Sequence, residues 1–156
     1  MTEQSPSEMY EQYKQKFDLP EFEKLEKFLE ITCFEDEKFV LQTIRKKINE
    51  KINKFMEVLD PIVQPEASAV SMYENHFFSE EERVECFEIY KKLMDLSRKS
   101  DLIMLTEDDE ANAEFIKSFF NTFEQIKDDL QKVMQKQKDS WLQDSEVNNK
   151  VLGYFG

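Results

Sequence analysis

The sequence predicts an all-α fold, and three observations carry that expectation. The chain of 156 residues holds only two glycines, Gly153 and Gly156, both at its C-terminal end. A β-rich fold draws repeatedly on glycine and on Asn-Gly turns, and no such turn is present. Apolar residues recur instead at steps of three and four, the period of one helix face. Hydrophobic residues make up 40% and charged residues 35%, with 14 Phe among them, so there is enough apolar surface to bury for a folded chain. The expected architecture is a mostly antiparallel bundle of three long helices with an N-terminal helix pair packed across it. It forms one domain over residues 1–143, followed by a flexible tail over 144–156.

The elements follow in order. A first helix over 7–17 starts after Ser5, Pro6 and Ser7, which offer a cap and a proline tolerated in the first turn. Asp18-Leu19-Pro20 interrupts it, and a second helix over 20–31 carries Phe22, Leu25, Phe28 and Leu29. The third, over 36–59, repeats Leu41, Ile44, Ile48, Ile52, Phe55 and Leu59 on one face, and Pro61 and Pro65 are expected to stop it. A short helix is expected around Ala67 to Tyr73. Ser79-Glu80-Glu81-Glu82 reads as a capping box. The helix over 79–100 that follows is expected to bury Val84, Phe87, Tyr90, Leu93 and Met94. Thr106 is the expected cap of a last helix over 107–143, in which Ile116, Phe119, Phe123, Ile126, Leu130, Val133, Gln137 and Trp141 keep the helical step. At a rise of about 1.5 Å per residue that helix reaches about 55 Å, against about 30 to 35 Å for the other two. The excess has to be covered by the N-terminal pair or by another chain. Val133, Met134 and Trp141 are therefore the candidate face for a second copy or a partner.

Composition excludes several functions. A net charge of −13 opposes direct binding of a phosphate backbone, which needs a basic surface. Cys33 and Cys86 are read as two buried thiols in a reducing compartment. The polar, acidic N-terminus is not a signal peptide. The longest apolar run, Leu102-Ile103-Met104-Leu105, falls far short of the ~20 residues that span a bilayer. A cytoplasmic location without a membrane is the expectation. His76 is the sole histidine, so a metal site or a catalytic triad would have to use it, and without internal glycine there is no phosphate-binding loop. His76 could pair with Cys86, or sit as a loop histidine against Phe77 and Phe78. No cofactor is expected.

Four patterns remain. Glu82-x-x-Glu85 followed by Glu107-x-x-Glu110 resembles the acidic motifs of the all-α nucleotide pyrophosphohydrolases of the MazG type. The resemblance covers the stretch from Glu82 to Glu110 and implies magnesium held by these four carboxylates for hydrolysis of a nucleoside triphosphate. The sequence departs from that family at Glu110, where an aspartate is usual. Its second pair also falls in a first helical turn, where acids oppose the helix dipole in any case. The basic stripe of Arg45, Lys47, Lys51 and Lys54 is either a seat for an acidic partner or a solvated face of weak ion pairs. The aromatic stripe of Phe115, Phe119, Phe120 and Phe123 reads as core. The tail ends in Leu152, Tyr154 and Phe155, which could dock as a linear motif on another protein or fold back on the chain.

Phe17-Asp18-Leu19-Pro20-Glu21-Phe22-Glu23-Lys24-Leu25, Ser71-Met72-Tyr73-Glu74 and Phe77-Phe78 resemble an uncharacterised family of short all-helical archaeal proteins. That resemblance implies a cytoplasmic location and no activity. The reading the sequence favours is a non-enzymatic adaptor that binds another protein through helix surfaces and its tail. The alternatives are the magnesium-dependent pyrophosphohydrolase and an acidic mimic of nucleic acid.

Overall fold

Helix follows helix wherever the three-and-four spacing runs, and the reasons are local. The computed structural model describes residues 4–143, which hold six α-helices, one 3-10 turn and no strand. The helices are α1 (Pro6–Phe17), α2 (Phe22–Leu29), α3 (Val40–Val63), α4 (Ala69–Asn75), α5 (Glu80–Ile103) and α6 (Asp109–Ser140). The all-α fold is as the sequence predicts.

Two capping boxes set helix starts. The Ser5 hydroxyl accepts from the Glu8 amide at 3.3 Å while the Glu8 carboxylate accepts from the Ser5 amide. At α5 the Ser79 hydroxyl accepts from the Glu82 amide at 3.1 Å, and Glu82 answers on the Ser79 amide at 2.9 Å. Each box satisfies two amides that the first turn leaves without carbonyl partners.

Three boundaries differ from expectation. Pro61 does not stop α3, which runs through it to Val63. A proline inside a helix removes a donor and pushes away the carbonyl of the preceding turn. The donor that Pro61 lacks would have met the Glu57 carbonyl, and side chains engage carbonyls on either side of the proline instead. Gln137 donates to the Val58 carbonyl at 2.6 Å, and Asn75 donates to the Ile62 carbonyl at 3.0 Å. The helix ends just before Gln64, which Pro65 keeps out of the α region. The second difference is at α6, which begins at Asp109 and is capped by Asp108 instead of Thr106: Asp108 Oδ1 accepts from the Glu110 amide at 3.1 Å. The Thr106 amide bonds back to the Ile103 carbonyl, so Thr106 belongs to the end of α5.

The third difference is the register of α5. Val84 and Phe87 are 60% and 46% exposed, while Cys86, Ile89, Leu93, Leu96 and Ser100 are buried. The buried stripe is shifted from the expected one because Ser97 and Ser100, absent from the expected apolar set, take positions on the inner face, beside Cys86, which is buried as expected. Tyr90 and Met94 lie at its margin.

The chain groups into two compact units. Among the described residues the first comprises 4–53 and 95–122 and the second 54–94 and 123–143. In the first, Leu41, Ile44, Ile48 and Ile52 of α3 are buried together with Leu25 and Leu29 of α2 and Phe115, Phe119 and Phe120 of α6. Phe28 meets Phe119 and Phe120 at ring-centroid distances of 5.7 and 6.1 Å. Tyr10 is fully buried, donates to the Pro20 carbonyl, and has its phenol pKa raised by that burial. In the second unit Phe55 stacks on Phe123 at 5.9 Å, and Leu59, Ile62, Tyr73, Phe78, Ile126 and Leu130 are buried. Of the expected aromatic stripe, three members are core of the first unit, and Phe123 is half-buried in the second.

The shortage of glycine leaves a mark. Asp18, Glu30 and Glu107 stand at helix C-terminal ends with φ of 54°, 55° and 53°. Glycine usually fills that left-handed position, since a Cβ there costs about 1 kcal/mol or more. Glu30→Gly is therefore expected to stabilise the protein by about 0.5–1 kcal/mol. An unchanged or lowered urea midpoint would contradict it.

Candidate interaction surface

The connection from α5 to α6 is built on its own backbone. The amides of Met104, Leu105, Thr106 and Glu107 bond back to the carbonyls of Ser100, Leu102, Ile103 and Ile103. A corner closed so tightly turns its side chains outward. Leu102, Met104 and Leu105 are 66%, 54% and 82% exposed. The longest apolar run of the sequence is thus at the surface.

What holds the corner lies beneath it. Arg45 of α3 is 1% exposed, its Nε donating to Asn112 Oδ1 at 2.8 Å and its NH1 to Ser100 Oγ at 2.9 Å. NH1 also reaches the Ser100 carbonyl at 3.3 Å, and NH2 pairs with the Glu107 carboxylate at 3.3 Å. One guanidinium therefore joins α3, the last turns of α5, the corner and the first turn of α6. Asn112 in turn donates to the Asp108 carbonyl at 2.9 Å. The Leu102–Leu105 segment is held as a fixed knuckle.

Arg45 is accordingly not part of a surface stripe, as the sequence reading had it. A position read as solvated is an inner one because its fork finds four acceptors there. The lysines of the stripe are on the surface. Lys47 and Lys54 pair with Glu50 and Glu57 at 3.8 and 3.6 Å, and Lys51 lies over the Phe28 ring at 5.5 Å. Exposed pairs of this kind contribute little.

Glu82 and Glu85 belong to the second unit, Glu107 and Glu110 to the first. Glu107 precedes α6 in a left-handed conformation, so it does not share a helix face with Glu110. Glu82 is engaged by Lys136, which is 2.8 Å from both its oxygens, and by the Ser79 cap. These partners, Lys136 first, hold its carboxyl below the usual glutamate range. Among the described residues no group of three His, Cys, Asp or Glu side chains is placed to hold a metal ion.

The face read for a second copy is partly covered from within the chain. Trp141 stacks on Tyr73 at 4.5 Å and donates to Glu74 at 2.9 Å, so α4 takes the end of α6. Val133 is half-buried beside Phe78 and Ile89, and Met134 is exposed. Leu152, Tyr154 and Phe155 lie outside the described residues. His76 is exposed at the end of α4.

The two cysteines differ, contrary to the reading of both as buried. Cys33 is exposed in the wall of an open cleft of about 870 Å³, between the segment 30–36 and the start of α3. Glu30, Glu35 and Asp36 share that cleft with Lys46 and Lys47, so its charge is mixed. Cys86 is buried, and burial first, then Glu82 and Glu85, push its thiol up to about 11.

No protein-family model, curated protein or solved structure matches the chain. No helix among the described residues is long and apolar enough to cross a membrane.

Two outcomes test this geometry. Arg45→Met keeps the aliphatic stem but strands Asn112, Ser100 and Glu107, and is expected to cost about 2–4 kcal/mol in urea unfolding. A loss under about 0.5 kcal/mol would mean that the guanidinium does not hold the corner. Iodoacetamide at mildly alkaline pH should alkylate Cys33 quickly and Cys86 only after denaturation, as peptide mass analysis will read. Equal rates in the native protein would contradict the burial of Cys86.

Proposed function

We propose that this chain is an interaction protein that performs no chemistry of its own and binds another protein through helix surfaces. The observation that carries this reading is the α5–α6 corner, where Leu102, Met104 and Leu105 are left in water on a braced turn. Exposed apolar residues scattered singly are ordinary, but a cluster on a rigid support marks a contact surface. Rigidity matters because a surface already ordered loses less entropy on binding. Val84 and Phe87 on α5 form a second uncovered apolar pair, within the second unit. The tail residues Leu152, Tyr154 and Phe155 extend the same proposal by their composition alone, as aromatic anchors on a polar spacer.

The test is in-cell photo-crosslinking of the full chain carrying a benzophenone amino acid in place of Leu105. The control carries it in place of Glu114, an exposed polar position on α6. A discrete protein adduct from position 105 that position 114 does not give is the expected result. Identical adduct patterns from the two positions would remove the corner from the reading.

A further inference from the structure

The corner also specifies what kind of surface it fits. Apolar contact alone would leave the partner open, but the carboxylates around the knuckle narrow it. Between Lys99 and Lys117 the chain has six acidic residues and no lysine or arginine. Glu107 is satisfied by Arg45, Asp101 by Arg98 at 3.0 Å and Glu114 by Lys117 at 3.5 Å. Asp108, Asp109 and Glu110 have no ion pair among the described residues, and they begin three positions after Leu105 along the chain. They line a shallow cleft together with Glu107, Gln42, Lys16, Phe17 and Lys38. Asp108 uses Oδ1 as the cap of α6, and no hydrogen bond among the described residues engages its other oxygen.

We infer that the α5–α6 corner receives a basic amphipathic helix, whose apolar face covers Leu102, Met104 and Leu105 while its lysines or arginines reach Asp108, Asp109 and Glu110. This rests on the interaction reading above and names the partner's chemistry. Unbranched methionine and flexible leucine side chains adapt to the ridges of an incoming helix, and such helices dock by apolar residues at i, i+3 and i+4. The carboxylates supply orientation and encounter rate more than affinity, and the net charge of −13 acts in the same direction at longer range. An acidic partner would face three unpaired like charges, which is the basis for rejecting it.

The probe is a synthetic amphipathic helix of leucine and lysine, titrated into methyl-labelled full-length protein. The comparison is a twin peptide with glutamate for every lysine. The lysine peptide should shift the methyl signals of Leu102, Met104 and Leu105, weaken on raising salt from about 50 to about 200 mM, and lose about tenfold in affinity in Leu105→Gln. Gln131→Ala, at an exposed polar position of α6 in the second unit, should bind it unchanged. Shifts confined to other methyls, or equal binding of the glutamate twin, would overturn the inference. So would larger shifts of the same methyls with phosphatidylcholine vesicles, which would make the corner a membrane contact. Shifts on protein concentration alone would assign it to a second copy, and shifts on Phe155→Ala without peptide would assign it to the chain's own tail. Each of these also overturns the inference. A crosslink at position 105 that persists when the lysine peptide fails leaves the interaction reading standing and removes only the basic helix.

Discussion

A guanidinium taken out of water must find an acceptor for each part of its fork, or the cost of burying it is not recovered. Arg45 meets that condition only where the end of α5, the α5–α6 corner and the start of α6 arrive together. Much of the first unit's local detail follows. Glu107 accepts a left-handed backbone that glycine would adopt more easily, because its carboxylate is needed on Arg45. Asn112 is fully buried because one end of its amide accepts from Arg45 and the other donates to the Asp108 carbonyl. The start of α6 is displaced past Glu107 for the same reason.

This arrangement inverts the usual sorting of residues. Arg45, Ser100 and Asn112 are inside, while Leu102, Met104 and Leu105, only a few positions away, are outside. Burying the apolar set would require the corner to roll inward and abandon the guanidinium. A polar anchor under an apolar knuckle gives a surface that is sticky yet fixed in shape, which is the combination that recognition of a partner needs. Ion pairs of the same kind engage part of the pyrophosphohydrolase-like spacing. Two of its four carboxylates already hold structural cations, Arg45 and Lys136.

The parts of the fold legible in the sequence were those with a local cause. The cap at Ser5, the box at Ser79 and the stripe from Leu41 to Leu59 depend on neighbours within a few residues, and they stand as read. Pro61 misled because the turn around it is supported by Asn75 and Gln137, which bond to the Ile62 and Val58 carbonyls from far along the chain. The face of α5 misled because two small polar residues, Ser97 and Ser100, occupy inner positions, while Val84 and Phe87, which hydropathy favours, are outside. Arg45 gave no local sign of its burial, since its acceptors lie more than fifty residues away in sequence. The one available hint was Leu102 to Leu105 itself, an apolar run too short and too close to a helix end to fit the helical stripe.

The dependence of α3 on distant side chains has a consequence for how the chain is made. Its last turn around Pro61 is completed by Asn75 and by Gln137, the latter near the end of the described chain. During vectorial synthesis the proline turn emerges long before Gln137 has been added, and its carbonyls are left to water meanwhile. The nascent second unit therefore has an open end at Val58 for most of its elongation. It closes only once α6 has been made through Gln137 and has folded back onto α3.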